Sequence, residues 1–377
     1  MPRLSDEELE ALLHLRLLPG LRDRRLRALL QEYGSARALL AAGGQVLGDA
    51  AVAARRDPRV LERLRRGLDD LQRLDVTALV VDRPGYPARL LELHDPPCVL
   101  FARGRCALLD RPMLAIVGSR RHTQYGAGAA ERMARELGEL DFVIVSGLAR
   151  GIDGIAHRAS LETGTVAVLG CGIDVPYPRE NEPLFHRICE EGLVLSEFPP
   201  DAPPLRHHFP QRNRIIAALA RAVIVIEATG DSGSLITADH ALDIGRDVYV
   251  VPGPIGRDTS AGSNAMIQEG GALVTCAADV LDELNRGGGP RHTRGGAKKR
   301  AERSMNRYLP PDGARVAPDQ LAAPAAALFR ALTAAPRHVD DLAAGCGLPP
   351  ATALAELLSL ELLGHARQLA GARFVRA

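Results

Sequence analysis

Between residues 8 and 40, apolar side chains return every three or four positions, with interruptions at Leu18-Pro19-Gly20-Leu21 and Tyr33-Gly34-Ser35. That period predicts a small all-helical segment, with glycine and proline marking its turns. From Thr77 onward the pattern changes to short, wholly apolar runs at 113–117, 142–145, 165–169, 222–226 and 248–251. Amphipathic stretches near 123–139, 152–163, 181–191, 210–220 and 234–244 separate them. Strands that are apolar throughout, alternating with helices, predict an α/β fold with a parallel doubly wound sheet covered on both faces. A last patterned region predicts helices at 325–332, 339–344 and 350–363, then a β-hairpin through Arg367, Gly371 and Phe374.

These patterns divide the chain into a helical domain (1–78), a Rossmann-like α/β domain (79–285), a linker (286–322) and a C-terminal domain (323–377) that resembles a winged helix. A length of 377 residues fits several domains better than one. The linker holds Gly287-Gly288-Gly289-Pro290 and Lys298-Lys299-Arg300 with little to bury, which predicts a flexible basic tether. The Leu-Pro-Gly break in the front domain resembles the turn of a SAM/helix-hairpin-helix-like unit, with Arg22 in place of the usual second glycine.

No apolar run reaches the roughly 20 residues of a membrane span. Asp6, Glu7 and Glu8 give the N-terminus the wrong charge for a secretory signal, so a cytoplasmic protein without membrane contact is expected. Six scattered cysteines without a C-x-x-C pair predict neither a zinc site nor a disulfide framework. No cofactor is predicted either.

The net charge of +1 hides an uneven distribution. Residues 79–285 carry 19 basic and 27 acidic side chains, a net −8, whereas 286–322 carry 9 and 3. A polyanion bound to the α/β domain must therefore sit on a local cluster of cations, against the field of the domain as a whole. Lysine occurs only at Lys298 and Lys299, so those cations are arginines, whose planar fork suits phosphate.

The first predicted strand ends in Val117-Gly118-Ser119-Arg120-Arg121. In a doubly wound sheet this is where backbone N–H groups approach an anion at a helix N-terminus, so an anion site is expected here. A dinucleotide is not. Gly126 and Gly128 come too late for G-x-G-x-x-G, the second strand ends in Ser146-Gly147 without an acidic residue, and no phosphate-binding P-loop exists.

Four further segments fall at strand ends or helix starts: 146–153 (Ser-Gly-Leu-Ala-Arg-Gly-Ile-Asp), 177–181 (Tyr-Pro-Arg-Glu-Asn), 206–216 (Arg-His-His-Phe-Pro-Gln-Arg-Asn-Arg-Ile-Ile), and Glu227-Ala228 with 232–237. With Gly118-Ser119-Arg120 and Val251-Pro252-Gly253 they resemble the ordered motifs of the DNA-processing protein A (DprA, or Smf) family, over roughly residues 80–285. The resemblance implies a non-enzymatic protein that binds single-stranded DNA, removes single-strand-binding protein and loads a RecA-type recombinase during natural transformation. It places Arg120, Arg179 and Arg206 in the strand-binding pocket, with Gly118, Ser119, Arg121, Arg212, Asn213 and Arg214 as neighbours and Phe209 as a stacking face. For residues 212–214 an equal alternative is that they pin the loops, through carbonyls and Glu227. The resemblance also implies a homodimer, with Met266 and Ile267 at its interface.

A rival of another class is a nucleotide phosphoribohydrolase, whose similar core carries a catalytic glutamate. Thr237 stands at that position here. Asp153, His157, Glu197, Glu227 and Asp239 are expected to cap helices or form salt bridges, and His207-His208 lacks a third metal ligand. The third helix of the C-terminal domain offers Thr352, Glu356, Ser359 and Glu361 but no cation, which favours protein docking over duplex reading.

Overall fold

The computed structural model describes residues 5–21, 23–286, 323–333, 337–362, 365–369 and 373–376. Arg22 in the first turn, the tether beyond Arg286 and Gly371 lie outside the described residues. The chain divides into two compact units, 1–294 and 295–377.

The first unit opens with α1 (Asp6–Leu17), α2 (Asp23–Tyr33), α3 (Ala36–Ala42), α4 (Gly44–Leu47), α5 (Asp49–Ala54) and α6 (Pro58–Arg73). Their starts follow from local chemistry. Ser5 and Ser35 accept backbone N–H groups of α1 and α3, and Asp57 does so for α6, where Pro58 takes a position that needs no donor.

A nine-stranded sheet follows: β1 (Thr77–Val80), β2 (Val99–Gly104), β3 (Met113–Gly118), α7 (Gln124–Glu139), β4 (Val143–Ser146), α8 (Ile152–Ala159), β5 (Thr165–Val168), α9 (Glu182–Glu191), β6 (Leu193–Ser196), α10 (His208–Leu219), β7 (Ala222–Ile226), α11 (Gly233–Asp243), β8 (Asp247–Val251), α12 (Asp258–Gln268), β9 (Ala272–Leu273) and α13 (Ala277–Asn285). Its order is β1-β2-β6-β5-β4-β3-β7-β8-β9. β3 through β9 pair in parallel, and β2 runs antiparallel to both β1 and β6.

The five expected strands are present; alternate residues along β3, β4, β7 and β8 serve two cores, and the apolar residues of β5 all lie in one of them. Leu114, Ile116, Ile144 and Ile224 pack with α7, α8 and α13 on one face. Ala115, Val145, Val223 and Val225 pack with α10 and α11 on the other. The second core continues without a break into Leu12, Leu15, Leu26 and Leu39 of the front helices. The expected boundary at 78/79 is therefore no gap in packing: it falls inside β1, and the helical segment shares its interior with the sheet.

The order places β3 beside β4 on one side and β7 on the other, so the chain winds outward from β3 in both directions. The crevice at the carboxyl ends of β3 and β7 is the topological switch point where such sheets take ligands.

The second unit contains α14 (Ala323–Ala331), β10 (Arg337–His338), α15 (Val339–Cys346), α16 (Pro350–Leu362), β11 (Ala366–Leu369) and β12 (Arg373–Arg376). A three-stranded sheet of order β10-β12-β11 and a core of Leu328, Leu342, Leu357, Leu360 and Phe374 complete a winged helix. Among the described residues no helix is long and apolar enough to cross a membrane.

Candidate functional site

Close backbone approach builds the crevice floor. A Cβ on Gly118 would stand 1.9 Å from the Ile226 carbonyl oxygen, and one on Gly151 would stand 2.2 Å from that of Ser119. Only glycine permits either contact, and Gly151 also has φ +81°.

The loop from β4 to α8 is fully engaged within the protein. The Asp153 carboxylate accepts the N–H groups of Gly147 (3.1 Å) and Ala149 (3.3 Å). Asn181 donates to the carbonyls of Leu148 and Ala149, both at 3.0 Å. His157 Nε2 accepts the Leu148 N–H (3.2 Å), while Nδ1 faces Thr165 Oγ1 at 2.7 Å. The Thr165 hydroxyl gives its proton to the Ile144 carbonyl (3.1 Å), so Nδ1 is the donor to Thr165 and the ring is neutral. Burial holds the His157 pKa down at about 3, with the positive charge of Arg212 acting in the same direction.

Arg212 and Arg214, for which DNA contact and loop pinning were equal expectations, both turn inward. Arg212 is 3% exposed and donates to the carbonyls of Gly147 (2.8 Å) and Val168, tying α10 to the ends of β4 and β5. Burial lowers its pKa to about 10. Arg214 is 6% exposed and donates to Glu197 at 2.6 Å. Their apolar surroundings and internal acceptors remove both from the contact surface. Asn213 donates to the Gly233 carbonyl (3.3 Å), which draws the start of α11 against α10.

The expected partner, Glu227, is used elsewhere. It accepts the Thr123 N–H at 2.8 Å and the Thr123 hydroxyl, and Gly126 leaves it room, since a Cβ there would meet its Oε2 at 2.2 Å. This corrects the expected anion site: the N-terminus of α7 already carries a carboxylate of its own, which complements the helix dipole. Ser119 is also buried, and its hydroxyl accepts the Arg121 N–H at 3.0 Å.

Arg120, Arg121, Arg179 and Arg206 differ from these. All four are exposed, and none has a carboxylate partner among the described residues. Neighbouring arginines do, as in Arg150–Glu180 (2.6 Å) and Arg187–Glu191 (3.0 Å). The Arg120 guanidinium carbon lies 5.8 Å from the centre of the Phe209 ring, a cation–π approach. Phe209 in turn lies 5.5 Å from Tyr177 and packs on Gly170, where a Cβ would stand 2.8 Å from the ring. Tyr177 is two residues from Arg179, and Phe209 three from Arg206, so the loops after β3, β5 and β6 converge on Phe209. Tyr177 was not among the expected residues; an aromatic side chain two places from a loop arginine was the available signal.

Met266 is 2% exposed and belongs to the core behind β8, which removes it from any interface; Ile267 is half-buried. Thr237 is buried in α11. Among the described residues no three His, Cys, Asp or Glu side chains cluster to hold a metal. The arrangement thus offers free guanidinium groups and an aromatic face, while its buried acids and histidine hold the frame.

Residues 77–285, the whole sheet from β1 to α13, match the family model described as DNA recombination-mediator protein A. The chain belongs to the DNA processing protein A family. Residues 312–372 match that family's winged helix domain. Over 201 residues the chain is 50% identical to DNA processing protein DprA of Streptococcus pneumoniae, covering 53% of this chain and 71% of the relative. Over 290 residues it is 38% identical to Protein Smf of Escherichia coli, covering 75% and 73%. The solved structure of the S. pneumoniae protein superposes with a TM-score of 0.61 and 38% identity, over 75% of this chain and 99% of that one. That of DNA processing protein A from Helicobacter pylori, which describes that protein's single-stranded DNA binding mode, gives 0.52 and 32%, over 56% and 96%.

Proposed function

We propose that this protein binds single-stranded DNA in the crevice beside β3 and acts by binding rather than by catalysis. The observation that carries this reading is a set of four exposed arginines, without carboxylate partners among the described residues, on the loops that converge on Phe209, with Arg120 against the ring itself. Guanidinium groups neutralise successive phosphates while an aromatic ring stacks on a base, and neither contact requires a particular sequence. The H. pylori relative's binding of single-stranded DNA supports the assignment. Membership of the family extends it: the bound strand is cleared of single-strand-binding protein and passed to a RecA-type recombinase in the cytoplasm. Two copies would hold the strand with greater avidity. Ile267, which is half-buried, and Leu273 on the edge strand β9, 49% exposed, are apolar residues that such a homodimer would cover.

The test is fluorescence anisotropy of a labelled oligo(dT) with the wild type and with Arg120→Ala/Arg179→Ala. The variant is expected to bind about 10- to 100-fold more weakly at physiological salt, with its log–log salt slope reduced by about 1.4 for two lost phosphate contacts. Unchanged affinity and slope in a variant with the wild-type unfolding transition would refute the site.

A further inference from the structure

A second cluster of arginines lies at the opposite end of the sheet, where β7 and β8 begin. Ala222 pairs with Asp247 in the parallel register, so the residues just before them, Arg221 and Arg246, stand side by side. By strand alternation both fall on the face of Val223 and Val248, whereas Asp247 falls on the other face with Tyr249, whose hydroxyl donates to it at 3.5 Å. The short helical turn Ala88–Glu92 packs on the same face as the two arginines through Leu90, and it brings Arg89 to them.

Arg246 and Arg221 both act electrostatically on Arg89, and Glu92 is the carboxylate on the same turn as Arg89. Glu92 forms an ion pair with Arg246 Nη2 at 2.8 Å, yet Nε and Nη2 of Arg246 are buried without an acceptor in hydrogen-bonding geometry. The guanidinium groups of Arg89 and Arg221 have no side-chain or carbonyl partner among the described residues. Burial, then the charges of Arg246 and Arg221, hold the Arg89 pKa down. Buried N–H groups without acceptors and like charges held together both carry a free-energy cost, and an oxyanion bound among them relieves both.

We infer that Arg89, Arg221 and Arg246 form an anion site for a phosphate group, separate from the crevice at the other end of the sheet. A tetrahedral oxyanion presents several acceptors to guanidinium donors arriving from different directions, which one carboxylate such as Glu92 does not. The phosphate belongs either to a nucleic acid backbone or to a free anion.

Thermal unfolding of the full chain in inorganic phosphate, compared with chloride at equal ionic strength, tests the site. At about 10 mM phosphate, the wild type is expected to gain about 2–4 °C in Tm over chloride. Arg120→Ala/Arg179→Ala keeps the gain, because this site does not depend on the crevice reading. Arg89→Gln/Arg246→Gln loses it, and Arg221→Gln, at an exposed position, reduces it even if the double variant fails to fold. Oligo(dT) titration of Arg221→Gln then separates the two sources. A salt slope flattened by about 0.7 assigns the phosphate to the DNA backbone, and an unchanged slope assigns it to a free anion. No gain over chloride in the wild type, or the full gain retained in the variants, overturns the inference.

Discussion

At the scale of single residues, the site is divided by burial into groups that hold the frame and groups that face solvent. His157 shows the division most sharply, because its two nitrogens are both committed and its ring stays neutral. The unfolded chain binds a proton on that imidazole below about 6.5, whereas in the folded protein the pKa is about 3. Its contribution to stability is therefore complete above pH 6.5 and is lost as the pH falls toward 3. His157→Gln has no such proton to gain, so its urea midpoint is expected to fall less between pH 8 and pH 4 than that of the wild type. Equal falls would show that the acid lability arises elsewhere. The family resemblance, rather than any local pattern, singles out Arg120, Arg179 and Arg206, each of which falls in a loop at a strand end. The sequence does not show that Arg212 and Arg214, six and eight residues beyond Arg206, turn inward. Whether a cation meets solvent or a carbonyl depends on what packs across from it, and local pattern carries no trace of that.

Among the elements, α10 links the frame to the surface, since its first turn carries Phe209 and its second sends Arg212 under two strand ends. Burial raises the Asp153 pKa, and the charge of Arg212 opposes that rise. Arg212→Met removes this cation and leaves the carbonyls of Gly147 and Val168 without their donor. A loss of about 3–5 kcal/mol in unfolding free energy is expected, together with weaker oligo(dT) binding as Phe209 loses its support. Adding Asp153→Asn, which needs no counter-charge, is expected to restore part of the stability; a double variant no more stable than the single one would rule out the electrostatic account. The strands absent from the sequence reading sit in weak local contexts. β9, at two residues, is too short to display a period, whereas β2 follows two prolines and β6 directly follows a helix, Glu182–Glu191, with one glycine between them. β2 and β1 also run antiparallel to the neighbouring strands, and pairing direction is set by tertiary contact rather than by any one segment. The winged helix and the helices flanking the crevice were legible because each keeps its apolar spacing for two turns or more.

For the molecule as a whole, the question is how a domain with a net charge of −8 holds a polyanion. Internal pairing supplies part of the answer, because many acidic groups are spent within the fold: Glu227 on α7, Asp153 on its own loop, Glu197 on Arg214 and Glu180 on Arg150. What remains near the crevice is the set of four unmatched arginines, and the Debye length of about 8 Å at physiological salt confines the influence of more distant carboxylates. Binding to single strands should then follow the number of local contacts rather than the net charge. Four guanidinium groups, each neutralising one phosphate, give a slope of log affinity against log salt of about −3. Replacing Arg120, Arg121, Arg179 and Arg206 together by alanine is expected to bring that slope close to zero. A slope still near −3 in the fourfold variant would place the electrostatic contact elsewhere, with residues 286–322 and their 9 basic side chains as the next segment to neutralise.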